Sequence, residues 1–302
     1  LKSVLRVGEP AHATFRKISN LKLDDGQVRK DMARAIERID RDLAMLEEAI
    51  RAIAAELQSA YTVYLTLLGE AVRKQLILAS YHLCTQGYPE NFLNLSLNQR
   101  QKLQQAIRKR GKQLSEELIT YMNGEIVTED ENEGNEAEEY LVTENPKLNP
   151  PNSSNPVEIA KWQNHLEELT QQALKKVSHD TNVLLQQADI LPKKVPEPIL
   201  EAAAAASEAA AEVMPGPPNL LNLVIEIDNE QDEDESSLTQ IMTINLRLGE
   251  IEFADATLAS SRKQIRNILV QLQKLGREYQ KKQRERSIAE AEAAWRSSWH
   301  ED

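Results

Sequence analysis

The side chains that could do chemistry in this sequence are few and scattered. Five histidines (His12, His82, His165, His179 and His300) and one cysteine, Cys84, are its only imidazole and thiol ligands. A structural zinc takes four such groups at close spacings, and only His82 and Cys84 come near each other. They stand two apart, which on a helix sends them to different faces, so packing outweighs chelation as their role. A glycine-rich phosphate loop, a His-Glu-x-x-His helix, paired cysteines and a Gly-x-Ser-x-Gly elbow are all missing. Carboxylates abound, but in solvated runs, without the flanking apolar residues that would tune a catalytic acid. The expectation is no catalytic residue, no metal and no cofactor.

Charge is the next candidate for function. The net charge is −12, yet the signs are segregated. Residues 125–139 carry eight acids and no base, and residues 226–235 seven acids and no base. Residues 100–112 hold six bases and no acid, and residues 262–286 nine bases against two acids. An acidic average argues against a dedicated nucleic-acid binder. The local clusters keep a weaker version open: Arg108, Lys109 and Arg110 with Lys112, and, more concentrated, Arg277, Lys281, Lys282, Arg284 and Arg286. No aromatic residue interleaves with the first cluster to stack on bases, so it reads first as the solvent face of a helix. The acidic runs could also fold back and mask the second.

At the C-terminal end Ile288, Ala291 or Glu292, Trp295 and Trp299 recur at helical spacing, making a narrow apolar stripe. Paired tryptophans suit packing on the chain's own bundle, docking to another protein, or a membrane surface. Glu290, Glu292, Glu301 and Asp302 weigh against anionic lipid. The partner candidates are therefore Ile288, Trp295 and Trp299.

Helices must position these residues. Aromatics are only 4% of the chain, with 10 Gly and 12 Pro, while good helix formers dominate. The fold class is all-α: long antiparallel helices or a coiled-coil bundle joined by acidic disordered linkers. After an arm at 1–23, a long helical hairpin spans 24–123. Asp24 and Gln27 form a capping-box pattern. From Ile36 through Ile39, Leu43, Leu46, Ile50, Ile53, Leu57, Ala60, Tyr64 and Leu67 to Ala71, apolar or small residues alternate at spacings of three and four. That is a sustained heptad seam, on a helix roughly 90 Å long. Gly87 in a left-handed conformation, followed by Pro89, is expected to end it. A second capping box at Ser96 and Gln99 opens a helix with Leu103, Ile107, Leu114 and Leu118 inward, packed antiparallel on the first.

An acidic and Asn/Pro/Ser-rich linker, 124–155, reads as disordered. The helical segment 156–213 starts with Asn155 as N-cap and Pro156 at N1. Its seam runs through Ile159, Trp162, Leu166, Leu169, Ala173, Val177, Leu184 and Leu191 to a stop at Pro192, before an Ala-rich helix at 199–213. A Pro-rich, acidic linker, 214–237, contains the apolar run Leu220–Ile227, a strand without an evident partner or an extended docking segment. A third capping box, Ser237 with Gln240, opens the C-terminal coiled-coil region 238–302. Its seam is Leu258, Ile265, Ile268, Leu272, Leu275 and Tyr279, with an irregularity between Gly249 and Asp255.

Three runs carry a resemblance: Tyr81-His-Leu-Cys-Thr-Gln-Gly-Tyr-Pro-Glu-Asn-Phe-Leu-Asn-Leu-Ser-Leu, Leu246-Arg-Leu-Gly-Glu-Ile-Glu-Phe-Ala-Asp and Leu275-Gly-Arg-Glu-Tyr-Gln-Lys-Lys-Gln-Arg. In these, and around 200–227, the chain resembles a helical, coiled-coil protein family of cyanobacteria. The resemblance implies a cytoplasmic housekeeping role in a photosynthetic bacterium, and no activity or ligand. A single cysteine fits a reducing compartment, and no apolar segment has the ~18–20 residues of a spanning helix. The expected function is a non-enzymatic scaffold or adaptor, with a protein partner or a second copy along the seams. The alternative is a nucleic-acid- or ribosome-associated factor using basic helix 262–286.

Overall fold

The computed structural model describes residues 25–123, 154–192, 217–228 and 236–298. The arm at 1–23, most of the linker at 124–155, the Ala-rich helix, the acidic run 125–139 and Trp299 lie outside the described residues. The described residues are mostly helical, with long packed helices and one two-stranded hairpin. In chain order they form α1 (Asp25–His82), a π-helical turn (Leu83–Gly87), α2 (Pro89–Asn94), α3 (Leu97–Asn123) and α4 (Pro156–Gln187). Then come β1 (Leu220–Asp228), β2 (Ser236–Ile244), α5 (Leu248–Ala254) and α6 (Ala256–Ser298). The chain divides into two compact units, residues 51–273 and residues 1–50 with 274–302.

In the larger unit most of the α1 seam is core, with Ile53 and Leu67 half-buried. Ile50 precedes it at 0% exposure, and Leu57, Ala60, Tyr64 and Ala71 are buried with their neighbours Leu65, Leu68, Val72 and Leu76. That widening beyond a/d positions is what a helix covered from more than one side requires. Each fully buried leucine contributes about 1.5–3 kcal/mol relative to exposure. The chain turns back through α2 into α3, whose Leu103, Ile107, Leu114 and Leu118 are all buried. The capping box is present: Gln99 Oε1 accepts from the Ser96 backbone N–H at 2.8 Å, and Ser96 Oγ accepts from Gln99 N–H at 3.3 Å.

Pairing of α1 and α3 is antiparallel and close. Ser115 Oγ donates to the Gly69 carbonyl at 2.8 Å, and Gly111 faces Arg73 and Leu76. A Cβ on Gly69 would lie 2.9 Å from Ser115 Cβ and 3.0 Å from its Cα, so only glycine permits this approach. Gly87 plays a different part from the one expected. It is not left-handed; it closes the π-helical turn, with Tyr88 N–H donating to Leu83 O at 2.9 Å. Pro89, instead of following a stop, begins α2, because its missing N–H is no loss at a helix start.

The N-cap of α4 is as read: Asn155 Oδ1 accepts from Val157 N–H at 3.0 Å, with Pro156 first in the helix. Its end is earlier than Pro192. Asp189 adopts φ 56°, and Ile190 N–H reaches Leu185 O at 2.9 Å while Asp189 N–H reaches Gln186 O at 3.0 Å. This is a Schellman closure with aspartate in the usual glycine position. The buried stripe drifts accordingly, taking Thr170 and Leu185 inward where Leu169 and Leu184 stand half-exposed.

The third capping box is a correction. Residues 236–244 form a strand, antiparallel to β1 in the register Leu220↔Ile244 through Asp228↔Ser236. Thr239, Ile241, Thr243 and Ile244 are β-branched and favour a pleated strand over a helix. The hairpin also supplies the missing partner of Leu220–Ile227. Two strands alone are marginal, and α4 anchors this pair: Asn182 accepts from Ile244 N–H and donates to Ile244 O, both at 2.9 Å. Ser178 Oγ accepts from Leu246 N–H at 2.9 Å.

The expected irregularity before α6 is a break at Asp255, whose Oδ1 accepts from Thr257 N–H at 2.9 Å. Leu258, Ile265, Ile268 and Leu272 are buried on α6, while Leu275 and Tyr279 are half-buried.

Candidate functional site

The densest chemistry among the described residues is a buried charged centre in the larger unit. Arg262 stands one turn after Leu258 and just before Ile265, a core position of the α6 seam, and is 9% exposed. Its guanidinium forms a two-pronged pair with Glu167 of α4, Nη2 lying 2.8 Å from Oε2 and Nη1 also donating to Oε1. Its Nε donates to Glu252 Oε1 of α5 at 2.6 Å. From α1, Tyr61 donates to Glu167 at 2.5 Å and Tyr64 to Glu252 at 2.6 Å. Arg262 also donates to Tyr64 Oη at 2.9 Å and lies 4.4 Å from the Tyr64 ring centre. Four helices therefore meet at one cation and two carboxylates, with two phenols bridging.

Each group's ionisation follows from that geometry. Burial alone would raise Glu167, but the hydrogen bonds and charge of Arg262, joined by Tyr61 and Gln163, hold it below its usual range. Burial, then the neighbouring carboxylates, push both Tyr61 and Tyr64 upward, so they remain neutral donors. The hydrogen bonds that Arg262, Tyr61 and Tyr64 make here all run to other side chains of the centre. The arrangement fixes the packing of four helices.

A second feature is an open apolar cleft of about 290 Å³ between the C-terminal end of α1 and α3. Cys84, Leu103 and Ile107 make a buried floor, Ile77 and Tyr81 an exposed lip, and Arg108 stands at the wall. Burial pushes the Cys84 thiol up to about 11, which makes it inert at neutral pH.

The sequence-predicted residues fall as follows. Arg277, Lys281 and Arg284 are exposed on α6. Lys282 pairs with Asp42 at 3.0 Å and Glu285 at 3.1 Å, and Arg286 with Asp40 at 2.6 Å and Glu290 at 3.2 Å. On α3, Arg108 and Lys109 are exposed, whereas Arg110 is half-buried and 3.5 Å from Asp180. Ile288 and Trp295 are 50% and 66% exposed. Arg262, read only as the first member of a basic stretch, is instead the hub of the buried centre. The visible signal was a basic residue at a seam position between Leu258 and Ile265.

Among the described residues no cluster of three or more His, Cys, Asp or Glu is placed to hold a metal ion, and no helix is long and apolar enough to cross a membrane. Comparison with known proteins returned no match: no family model, curated protein or solved structure is similar to this chain.

Proposed function

We propose that this chain is a non-enzymatic, cytoplasmic coiled-coil scaffold or adaptor that acts by binding another protein. The observation that carries the reading is on α6, where Ile288 and Trp295, two turns apart on one stripe, are half or more exposed. Large exposed apolar side chains aligned on a helix favour docking, and tryptophan is a common anchor at protein interfaces. An affinity pull-down with the full chain tests this reading, against a Trp295→Ala, Trp299→Ala double variant of unchanged helicity. A defined partner lost with the double variant supports the reading. Retention of every partner by the double variant counts against it, as does a chain that light scattering finds monomeric and that captures nothing.

The nucleic-acid alternative loses support from the ion pairs of Lys282 and Arg286 and from the burial of Arg262. It would regain support if RNA bound with a steep salt slope and binding fell in an Arg277→Ala, Lys281→Ala, Arg284→Ala variant.

A further inference from the structure

We infer that the α1–α3 cleft is a binding site for a free medium-chain carboxylic acid, its hydrocarbon on the Cys84–Leu103–Ile107 floor and its carboxylate at Arg108. The floor asks for an apolar occupant. Two hydroxyls of the lining already donate to their own helix, Ser80 to the Leu76 carbonyl and Thr85 to the Tyr81 carbonyl, each at 2.7 Å. A polar ligand would find its groups unmatched on the Cys84–Leu103–Ile107 floor, which is costly, while the polar groups of Gln104 and Tyr81 belong to exposed residues. The lip extends the apolar surface outward: Ile77 is 45% exposed and Tyr81 58%.

One end of the cleft is charged. Among the described residues Arg108 is the only ionic side chain in its lining. It is exposed, and among the described residues it takes part in no ion pair. Residues 100–112 contain no acid to neutralise it. An apolar trough with a lone cation at its edge complements an amphipathic monoanion. The volume, about 290 Å³, sits at the lower edge of the ~300–1,000 Å³ range of small-molecule sites, which favours a single short chain. A peptide strand fits less well, since the lining belongs mainly to α1 and α3, whose backbone groups are paired within their helices and leave its amides without partners.

Calorimetric titration of the full chain with decanoate and with decanol tests the site, alongside Arg108→Gln and Lys109→Gln variants. Both residues are exposed, so both variants should fold, with circular dichroism as the check. Decanoate should bind at one site and Lys109→Gln should leave it unchanged. Decanol, and decanoate on Arg108→Gln, should each bind about tenfold more weakly, the scale of one charge-assisted contact. No decanoate binding up to about 1 mM, a weak ligand's range, would overturn the inference. So would equal affinity for decanol, or equal losses in the two variants, which would mean a diffuse attraction to α3 rather than a seat at Arg108.

Discussion

Arg262 and Arg286 are both arginines of α6 paired with carboxylates, and they do different things. Arg262 is packed among Tyr61, Tyr64, Glu167 and Glu252, with its side chain 11% exposed. Arg286 reaches Asp40 with both side chains nearly half exposed. In water the second pair gains little, because solvent and salt screen it. In the buried centre the charges have lost their hydration, so each depends on the others. The same residue type thus dictates packing in residues 51–273 and decorates a surface in the smaller unit. Ion-pair geometry alone does not tell these cases apart; burial does.

The comparison breaks most visibly at Arg262. Replacing it by methionine keeps the length but leaves the part-buried Glu167 and Glu252 without a cation. The expected loss is about 3–5 kcal/mol of folding stability, read by denaturant unfolding at neutral pH. A triple variant, Arg262→Met with Glu167→Gln and Glu252→Gln, should recover part of that loss, since the stranded charges are gone. If the single variant unfolds with the wild type, the centre does not dictate packing.

Acid should act on the same centre through Glu167. Its folded pKa lies below its unfolded value, so the unfolded chain binds the proton first. The stability this group contributes is therefore fully present above the ordinary glutamate value of about 4.3 and is lost as pH falls through the folded value. Glu167→Gln should cost about 1.5–3 kcal/mol at pH 7, the range for a hydrogen bond to a charged group, and should flatten that acid limb. An unchanged slope of stability as pH falls below the ordinary glutamate value of about 4.3 would mean that Glu167 is not held by Arg262.

Apolar packing supplies a control of a similar size without charge. Gly69→Val would force a side chain against the Ser115 backbone, where even a Cβ comes within 3.0 Å. Overpacking of this kind costs about 1–3 kcal/mol, and thermal unfolding should show it with no pH dependence.

Much of this architecture was legible because local rules suffice for it. The Ser96 box and the Asn155 cap each depend on residues within one or two turns, and both are found; the α1 seam is buried at Leu43, Ile50, Leu57, Ala60, Tyr64 and Ala71 and half-buried at Ile36, Ile39, Leu46, Ile53 and Leu67. The errors fall where distant groups decide. Ser237 and Gln240 satisfy a helix-start pattern, but β1 offers a ladder and Asn182 of α4 grips its end. Asp189 ends α4 ahead of Pro192 because an aspartate can take the left-handed conformation. Arg262 was counted with Arg277 and Arg286 because composition records charge but not depth. Its partners lie 95 and 10 residues away on other helices, so only a seam drawn through position 262 could have singled it out.

The smallest effect belongs to the surface pairs, and it sharpens the contrast by being small. Lys282 is held by Asp42 and Glu285, whose hydrogen bonds raise its pKa, and Arg286 by Asp40 and Glu290, its pKa raised first by the Asp40 hydrogen bond and then by the charges of both. All lie where water competes for them. Lys282→Ala with Arg286→Ala should leave the thermal midpoint nearly unmoved, and whatever shift appears should vanish as salt rises, because a Debye length of about 8 Å at 0.15 M already screens exposed charges. The same salt series on Arg262→Met should leave its deficit nearly intact, since ions do not enter the packed centre. A large, salt-resistant loss in the surface variant would erase the distinction, and would make Asp40 and Asp42 of α1 partners as demanding as Glu167.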